Sequence, residues 1–559
     1  MTSPSRWVLE WEFWVVLLLT GLIYGSRLSE APPSGEEPRR GQVAREMIAS
    51  GDWVVPRQQG LPFLSRPPIQ NWAIALVSLS RGKVDAVAIR FPSVVAILLT
   101  VTLIYAYSRT FLSRLGAMCA MVAFPTMGLV LQFGWLGETE AIYTLVVAGS
   151  LIVWRWADTT GKSPLLGWCG GYGLAALGML SKGPQAPVYF IGGVALFLLV
   201  MRRGRELLRW HHAVGLGLFF AVWLAWQIPF YLRVGPTDAW MMLTGDIGMR
   251  FHDGSWTRTL KHFVEFPLSV AVCMLPWCVF LLAYLRRDFR RSIAFAREDV
   301  WFLALSIGFA SLTCYVVPGA RNRYLAPILP LIAPLIGLAA QQCCLANASE
   351  SLVRLRRHFF IGMGLVAAGL GAWIVVATAL QLGPARGQQP VAFAIVFGMA
   401  ALAAMATSFW ASARPEPWRQ RIGTLTIGAL LGLGYIGAIV NVFVATRHPI
   451  AAEIAAIAAQ HFPDDVQLVS IGPVDNTFLY YYGKPIKQLS ETAGIGPKEP
   501  PWTYFCMGCG SNMPAFDMPY EKLGVVSCEA AYSDHPKAVV IIGRRLPKTT
   551  TSEPKNSPP

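Results

Sequence analysis

The sequence predicts an all-α polytopic membrane protein of about thirteen transmembrane helices, followed by a small C-terminal α/β domain outside the membrane. Three observations carry this. Of 559 residues, 54% are hydrophobic and only 14% charged, against about a quarter charged in soluble domains. The hydrophobic residues fall in runs of membrane-spanning length as far as residue 445. Arginines gather in every second loop between those runs. The net charge of +15 would suit a nucleic-acid binder. Its placement between apolar runs is instead the mark of cytoplasmic loops, so no nucleic-acid partner is expected.

A helix crossing about 30 Å of hydrocarbon needs about 17–25 residues. Runs that meet this lie near 8–26, 90–108, 115–132, 139–156, 164–181, 185–201, 213–232, 265–285, 301–318, 324–342, 358–380, 391–410 and 424–444. The first lacks a small-residue cleavage site and reads as a signal anchor. The stretch 67–80 is also apolar, but it opens on Pro67-Pro68 and is interrupted by Gln70 and Asn71. Loop charge decides its status. With 67–80 in the interface, one side collects Arg109 and Arg114, Arg155 and Lys162, Arg202 to Arg209, Arg286 to Arg291, Arg354 to Arg357, and Arg414 to Arg421. A crossing at 67–80 would send the later loops to the wrong side. The sequence therefore predicts an inner (plasma) membrane protein with a cytoplasmic N-terminus. Its transmembrane domain is 1–445, with 27–89 a periplasmic loop carrying interfacial helices.

Residues 446–546 are polar and expected in the periplasm as an α/β domain, with a short helix at 451–460 and strands at 466–471 and 538–542. The tail 547–559, rich in Pro, Thr, Ser and Lys, is expected to be disordered. Seven of ten cysteines fall in or beside spans as small apolar side chains. Cys506, Cys509 and Cys528 fall in the outer domain. No second pair or histidine cluster completes a zinc site with Cys506 and Cys509, so a disulfide is the expectation there.

The same topology gathers 27–89, 133–138, 181–184, 233–264 and 319–323 on the outer face. Positive charge there runs against the insertion bias. Lys182, Arg250, Arg321 and Arg323 therefore become candidates for binding an anion, joined by Arg39 and Arg66 from the first loop. Tyr324 adds a hydroxyl donor. Arg40 and Arg45 are assigned to anionic headgroups of membrane lipids. Glu36 and Glu37 precede Pro38, which suits the first turn of an interfacial helix at 38–50. They equally suit a general base for an acceptor hydroxyl or amine, which must be ionised and within hydrogen-bond reach. Glu138 and Glu140, at the outer end of a span, form a second acidic site. His252 reads as an ordinary loop residue. No metal ligands are assigned, and a divalent metal stays open as a cofactor. No GxxxxGK[ST] and no GxGxxG opening a helix occurs, so a P-loop or Rossmann nucleotide site is unsupported.

Several phrases resemble a known family. Glu36-Glu37-Pro38-Arg39, Ala44-Arg45-Glu46-Met47, Ser50-Gly51-Asp52-Trp53 and Arg66-Pro67-Pro68 follow one another in register. Arg90-Phe91-Pro92-Ser93, Lys182-Gly183-Pro184, Arg250-Phe251, Pro276-Trp277, Arg323-Tyr324 and Tyr480-Tyr481-Tyr482-Gly483-Lys484-Pro485 come after in order. This resembles the integral-membrane GT-C glycosyltransferases, in the branch of the lipid A aminoarabinose transferases and bacterial relatives of protein O-mannosyltransferases. The resemblance covers most of the chain, more weakly after about residue 345. It implies thirteen spans and transfer of a sugar from a polyprenyl (undecaprenyl) phosphate to a lipid A, glycan or protein acceptor on the outer face. By resemblance, Glu36 stands where the family has its catalytic aspartate, and Glu140 or Glu138 near its second acid. Arg39, Arg66, Lys182 and Arg323 match positions that hold the lipid phosphate. Three positions depart: Glu36 replaces aspartate, Arg40 a tyrosine and Arg66 a lysine.

The sequence is thus read as a polyprenyl-phosphate-dependent glycosyltransferase. The alternatives are a flippase or transporter of polyprenyl-linked sugars, or a non-catalytic family member. A transporter would show internal repeats and ionisable groups at mid-membrane. No repeat is visible, and the ionisable residues gather at one face.

Overall fold

The computed structural model describes all residues except 1–7, 9, 252–255, 318–319, 381–390, 446–449, 464–465, 490–501, 510–518, 529–538 and 547–559. The chain divides into two compact units. One comprises Met1–Pro32 and Leu64–Thr446, the other Pro33–Phe63 and Arg447–Pro559.

The first unit is helical. Among the described residues, seven helices are long and apolar enough to cross a membrane: Ala86–Ser108, Glu140–Thr159, Trp210–Val234, Asn322–Gln342, Glu350–Ala377, Ala394–Ala413 and Pro417–Asn441. Leu260–Cys273 and Trp277–Leu285, bent by 116°, make an eighth if taken as one span. Trp11–Gly25 and Gln185–Val200 are apolar but shorter. The differences from the predicted runs have local causes. The run at 115–132 is broken around Pro125, into Arg114–Ala123, the tight turn Phe124–Thr126 and Gly128–Phe133. The run at 301–318 falls on Arg297–Tyr315, whose first turn carries Arg297, Glu298 and Asp299. The stretch 67–80 forms a 13-residue helix, Ile69–Arg81. At 1.5 Å per residue it measures about 20 Å, too short to cross about 30 Å of hydrocarbon.

Polar side chains set several ends of these helices. Asp85 accepts from Ala88 N at 2.9 Å and so caps Ala86–Ser108. At the far end of Glu140–Thr159, the fully buried Arg155 donates to Asp158 Oδ2 at 2.7 Å and Asp299 Oδ1 at 3.0 Å. Its guanidinium also lies 5.0 Å from the centre of the Phe197 ring. This knot ties the helix to Arg297–Tyr315 and Gln185–Val200.

The second unit carries a five-stranded sheet in the order Lys487–Leu489, Val469–Ile471, Tyr504–Cys509, Val539–Arg545, Tyr520–Ser527. The first three strands run parallel, and the last two join antiparallel. Helices Ile450–His461 and Asn476–Tyr482 help bury Ile454, Leu468, Phe478, Leu479, Val526, Val540 and Ile542. The disulfide expectation needs correction. Cys506 and Cys528 are buried free thiols, and Cys506 Sγ faces Val469 O at 3.5 Å. Cys506 and Cys509 lie three residues apart on one strand. That separates their Cα atoms by about 10 Å, beyond the roughly 7 Å a disulfide spans. The side chain of Cys509 lies outside the described residues.

Residues 33–63, which the sequence groups with the loop after the first span, pack in this second unit. They form the helix Glu37–Ser50 and a hairpin of Arg57–Gln58 with Leu61–Pro62. Its two central residues both have positive φ, Gln59 at 55° and Gly60 at 79°, the type I′ geometry that matches strand twist. Glycine adopts this freely, whereas glutamine needs support. Glu46 supplies it by accepting from Gln59 N at 2.7 Å and Gly60 N at 3.0 Å. Gln59 Nε2 in turn donates to the buried Ser470 Oγ at 2.7 Å.

Candidate active site

In the first unit the site is built on one tight approach. Gly137 ends the loop before Glu138. A Cβ there would sit 2.2 Å from Ile89 Cγ2 and 2.7 Å from its carbonyl oxygen, so the turn can press on Ala86–Ser108 only as glycine. Gln70 Nε2 donates to Gly137 O at 3.4 Å and ties the start of Ile69–Arg81 to the same turn. Next to Ile89, the wholly buried Arg90 donates to Leu28 O and Ala31 O at 2.8 Å and to Pro32 O at 3.1 Å. It also lies 4.9 Å from the centre of the Trp135 ring.

Glu140 begins its helix, Lys182 ends Pro164–Lys182, and Arg323 and Tyr324 lie in the tight turn Asn322–Ile328. Lys182 Nζ donates to Glu140 Oε1 at 2.9 Å. The ammonium also faces two rings, Tyr143 at 5.4 Å and Tyr324 at 5.2 Å, a setting that favours a desolvated cation. Arg323 bridges both acids, with Nη1 3.4 Å from Glu138 Oε2 and Nε 3.7 Å from Glu140 Oε1. Arg66 is within electrostatic reach of both Glu140 and Lys182. Three cations and two carboxylates leave one net positive charge, which suits an anion. Close by along the chain, Leu325 lines an apolar cavity of about 390 Å³ with Phe266, Pro267, Val270, Leu312 and Tyr315.

Arg321 is exposed at the start of the same turn. Arg250 lies on the helix Pro236–Phe251, and its side chain is outside the described residues, as is His252.

In the second unit, Glu36 and Arg39 form an ion pair, with Arg39 Nη1 3.0 Å from Glu36 Oε2 and both side chains part-exposed. Glu37 points elsewhere. It is fully buried and accepts from Ser34 N at 3.0 Å, which fastens the start of Glu37–Ser50. Arg40 and Arg45 are not directed at headgroups alone. Arg40 is buried with its guanidinium 5.3 Å from the Phe63 ring centre. Arg45 donates to Tyr480 O at 3.1 Å and faces the Tyr480 ring. Their stems and charges serve the packing of this unit. Among the described residues, no group of three or more His, Cys, Asp or Glu side chains is placed to hold a metal ion.

The first unit thus holds a set of fixed cations of the kind that stabilises a phosphate leaving group, and the second a partly exposed carboxylate of the kind that serves as a base. Comparison with known proteins bears on this chemistry. The family model of dolichyl-phosphate-mannose-protein mannosyltransferases matches residues 65–227. The undecaprenyl phosphate-alpha-4-amino-4-deoxy-L-arabinose arabinosyl transferase of Pseudomonas aeruginosa (strain UCBPP-PA14) is 30% identical over 423 residues, covering 73% of this chain and 72% of that protein. The chain belongs to the GT-C glycosyltransferase family. The crystal structure of ArnT from Cupriavidus metallidurans bound to undecaprenyl phosphate shares the GT-C fold, with a TM-score of 0.70 at 18% identity, over 96% of this chain and 98% of that one. The apo form of the same protein superimposes with a TM-score of 0.66. As a GT-C glycosyltransferase, the chain is an enzyme of multi-pass membrane architecture.

Two features, one in each unit, escaped the sequence reading. Tyr143, one helical turn after Glu140, faces Lys182, but an aromatic at that spacing reads as core. Asn476 and Gln58, which meet in the second unit, are 418 residues apart and carry no motif.

Proposed function

We propose that this enzyme moves a sugar of the 4-amino-4-deoxy-L-arabinose class from undecaprenyl phosphate to lipid A on the outer face of the inner membrane. The observation that carries the proposal is the Lys182–Arg323 cluster on Glu138 and Glu140, next along the chain to an apolar cavity. A polyprenyl phosphate has that same pair of demands, a phosphate for fixed cations and a hydrocarbon tail for an apolar wall. The names of the curated relatives supply the sugar class. In this reading the chain crosses the membrane thirteen times, with its N-terminus in the cytoplasm and residues 446–546 in the periplasm.

Glu36 orients or deprotonates the acceptor nucleophile. The nucleophile attacks the anomeric carbon opposite the phosphate, and the sugar–oxygen bond to phosphate breaks with inversion. The electron pair leaves on the phosphate, where Arg39, Arg66, Lys182 and Arg323 stabilise it. Arg250 and Arg321 serve as outer anion contacts, and Tyr324 holds the ring wall of Lys182. Glu37 keeps the Glu36 helix start in place.

Transfer is measured with purified enzyme, undecaprenyl-phosphate aminoarabinose and lipid A. Glu36→Gln should cut the rate by about 10²- to 10⁴-fold. Full activity in that variant overturns the assignment of Glu36 as base. Lipid A that has the same sugar content in strains with and without the protein overturns the substrate.

A further inference from the structure

Arg39 is held from two sides, and the second holder lies far along the chain. Its Nη1 meets Glu36 Oε2 at 3.0 Å and Oε1 at 3.3 Å. With the Asn476 amide turned toward Arg39, its Oδ1 accepts from Arg39 Nε and Nη2, both at 3.2 Å. The NH2 side of the turned amide then lies against the Gln58 side-chain amide. Gln58 neighbours Gln59, which Glu46 and Ser470 fix. Asn476 is itself fixed. It opens the helix Asn476–Tyr482, and the preceding Asp475 caps that helix by accepting from Thr477 N at 2.7 Å.

An exposed ion pair three residues apart on a helix does little to fix an arginine, because two long side chains must be ordered for a small gain. Asn476 changes that. Together, Glu36 and Asn476 take one N–H on each of the three guanidinium nitrogens. A guanidinium has five N–H groups, so one on each terminal nitrogen is left for an anion. Asparagine also differs from an acid in a way that matters here. A neutral amide holds the guanidinium without cancelling the charge a phosphate would need.

We infer that Asn476, on the C-terminal domain, is a positioning residue that holds Arg39 ready for the donor phosphate. The inference rests on the proposed function, in which Arg39 contacts that phosphate. It gives the C-terminal domain a direct part in the reaction, through one amide.

The test is a double-mutant cycle on purified full-length enzyme, with kcat/KM for the undecaprenyl-phosphate sugar and binding of undecaprenyl phosphate as readouts. Asn476→Ala alone should lower kcat/KM by about tenfold, the scale of lost hydrogen bonds to a charged group. In an Arg39→Ala background it should change kcat/KM by less than about twofold, because both changes act through one group. A merely structural role would give the full tenfold loss in both backgrounds, which overturns the inference. So does wild-type kcat/KM in Asn476→Ala when Arg39→Ala is impaired, an outcome that leaves the proposed function standing. Wild-type activity in Arg39→Ala removes Arg39 from the proposed mechanism and overturns the inference with it. Should Asn476→Ala unfold the domain, Asn476→Asp decides. It keeps an acceptor for Arg39 but cancels its charge, so undecaprenyl phosphate should bind at least about fivefold more weakly. Unchanged affinity overturns the inference.

Discussion

Lys182 Nζ lies 2.9 Å from Glu140 Oε1, with side chains only 2% and 4% exposed. A buried pair of this kind is costly to form, because both charges leave water. Its role is tested by asymmetry. Removing one partner strands the other charge, whereas removing both costs little. Glu140→Ala should destabilise the enzyme by about 3–5 kcal/mol and abolish transfer. Glu140→Leu combined with Lys182→Met should restore most of the stability and none of the transfer. Thermal unfolding in detergent, run beside the transfer assay, reads both. Glu140→Ala melting with wild type would mean that Lys182 is not shut in by its carboxylate and rings.

Much of this site was legible because a membrane makes charge conspicuous. Lys182 and Arg323 stood out as cations in loops that the charge pattern assigned to the side where insertion disfavours them, and Glu138 and Glu140 as acids at the end of an apolar run. The shortness of the helix Ile69–Arg81 agrees with Pro67-Pro68, Gln70 and Asn71 interrupting the run at 67–80. Local pattern could not reveal the partners chosen by the fold. Arg40 and Arg45 read as headgroup contacts in the sequence, which gives no sign of the rings of Phe63 and Tyr480 that they face. The allotment of 33–63 to the second unit depends on side chains such as Gln59 and Ser470, more than 400 positions apart. The run at 265–285 is continuous in hydropathy and sharply bent in space.

The cysteines illustrate a second limit, for spacing alone could not tell a disulfide from two thiols on a strand. The outcome has a chemical consequence. Burial pushes the Cys528 thiol up to about 12 and raises Cys506 as well. Because the neutral thiol is the favoured form, neither offers a reactive thiolate at pH 8, where an exposed cysteine of pKa about 8.5 is partly ionised. Both should resist iodoacetamide in the folded enzyme and become alkylated after denaturation, without any reductant. Peptide mass spectrometry checks this. A Cys506–Cys528 crosslink in the untreated protein, or rapid alkylation of either thiol at pH 8, would contradict it.

The last prediction separates holding the fold from doing the chemistry, on a single helix. Arg155 lies 15 residues after Glu140 on Glu140–Thr159, about 22 Å along the axis. It is 2% exposed and reaches Asp158, Asp299 and, at 3.5 Å, Glu298. Tyr107 also donates to Asp299 at 3.0 Å. Arg155→Ala removes one charge and leaves several acids crowded in a low-dielectric setting, so it should cost about 3–5 kcal/mol of stability. Arg155→Lys keeps the charge but loses the planar fork whose Nε serves Asp299 and whose Nη1 serves Asp158. Its loss should fall between that of Arg155→Ala and wild type. Neither change touches the proposed donor site, so in the protein that remains folded the KM for the undecaprenyl-phosphate sugar should match wild type. Variants at Glu140 should instead lose transfer even when their melting point is rescued. Equal melting of Arg155→Ala and wild type, or a raised donor KM in folded Arg155→Ala, would show that the two ends of this helix do not divide the work.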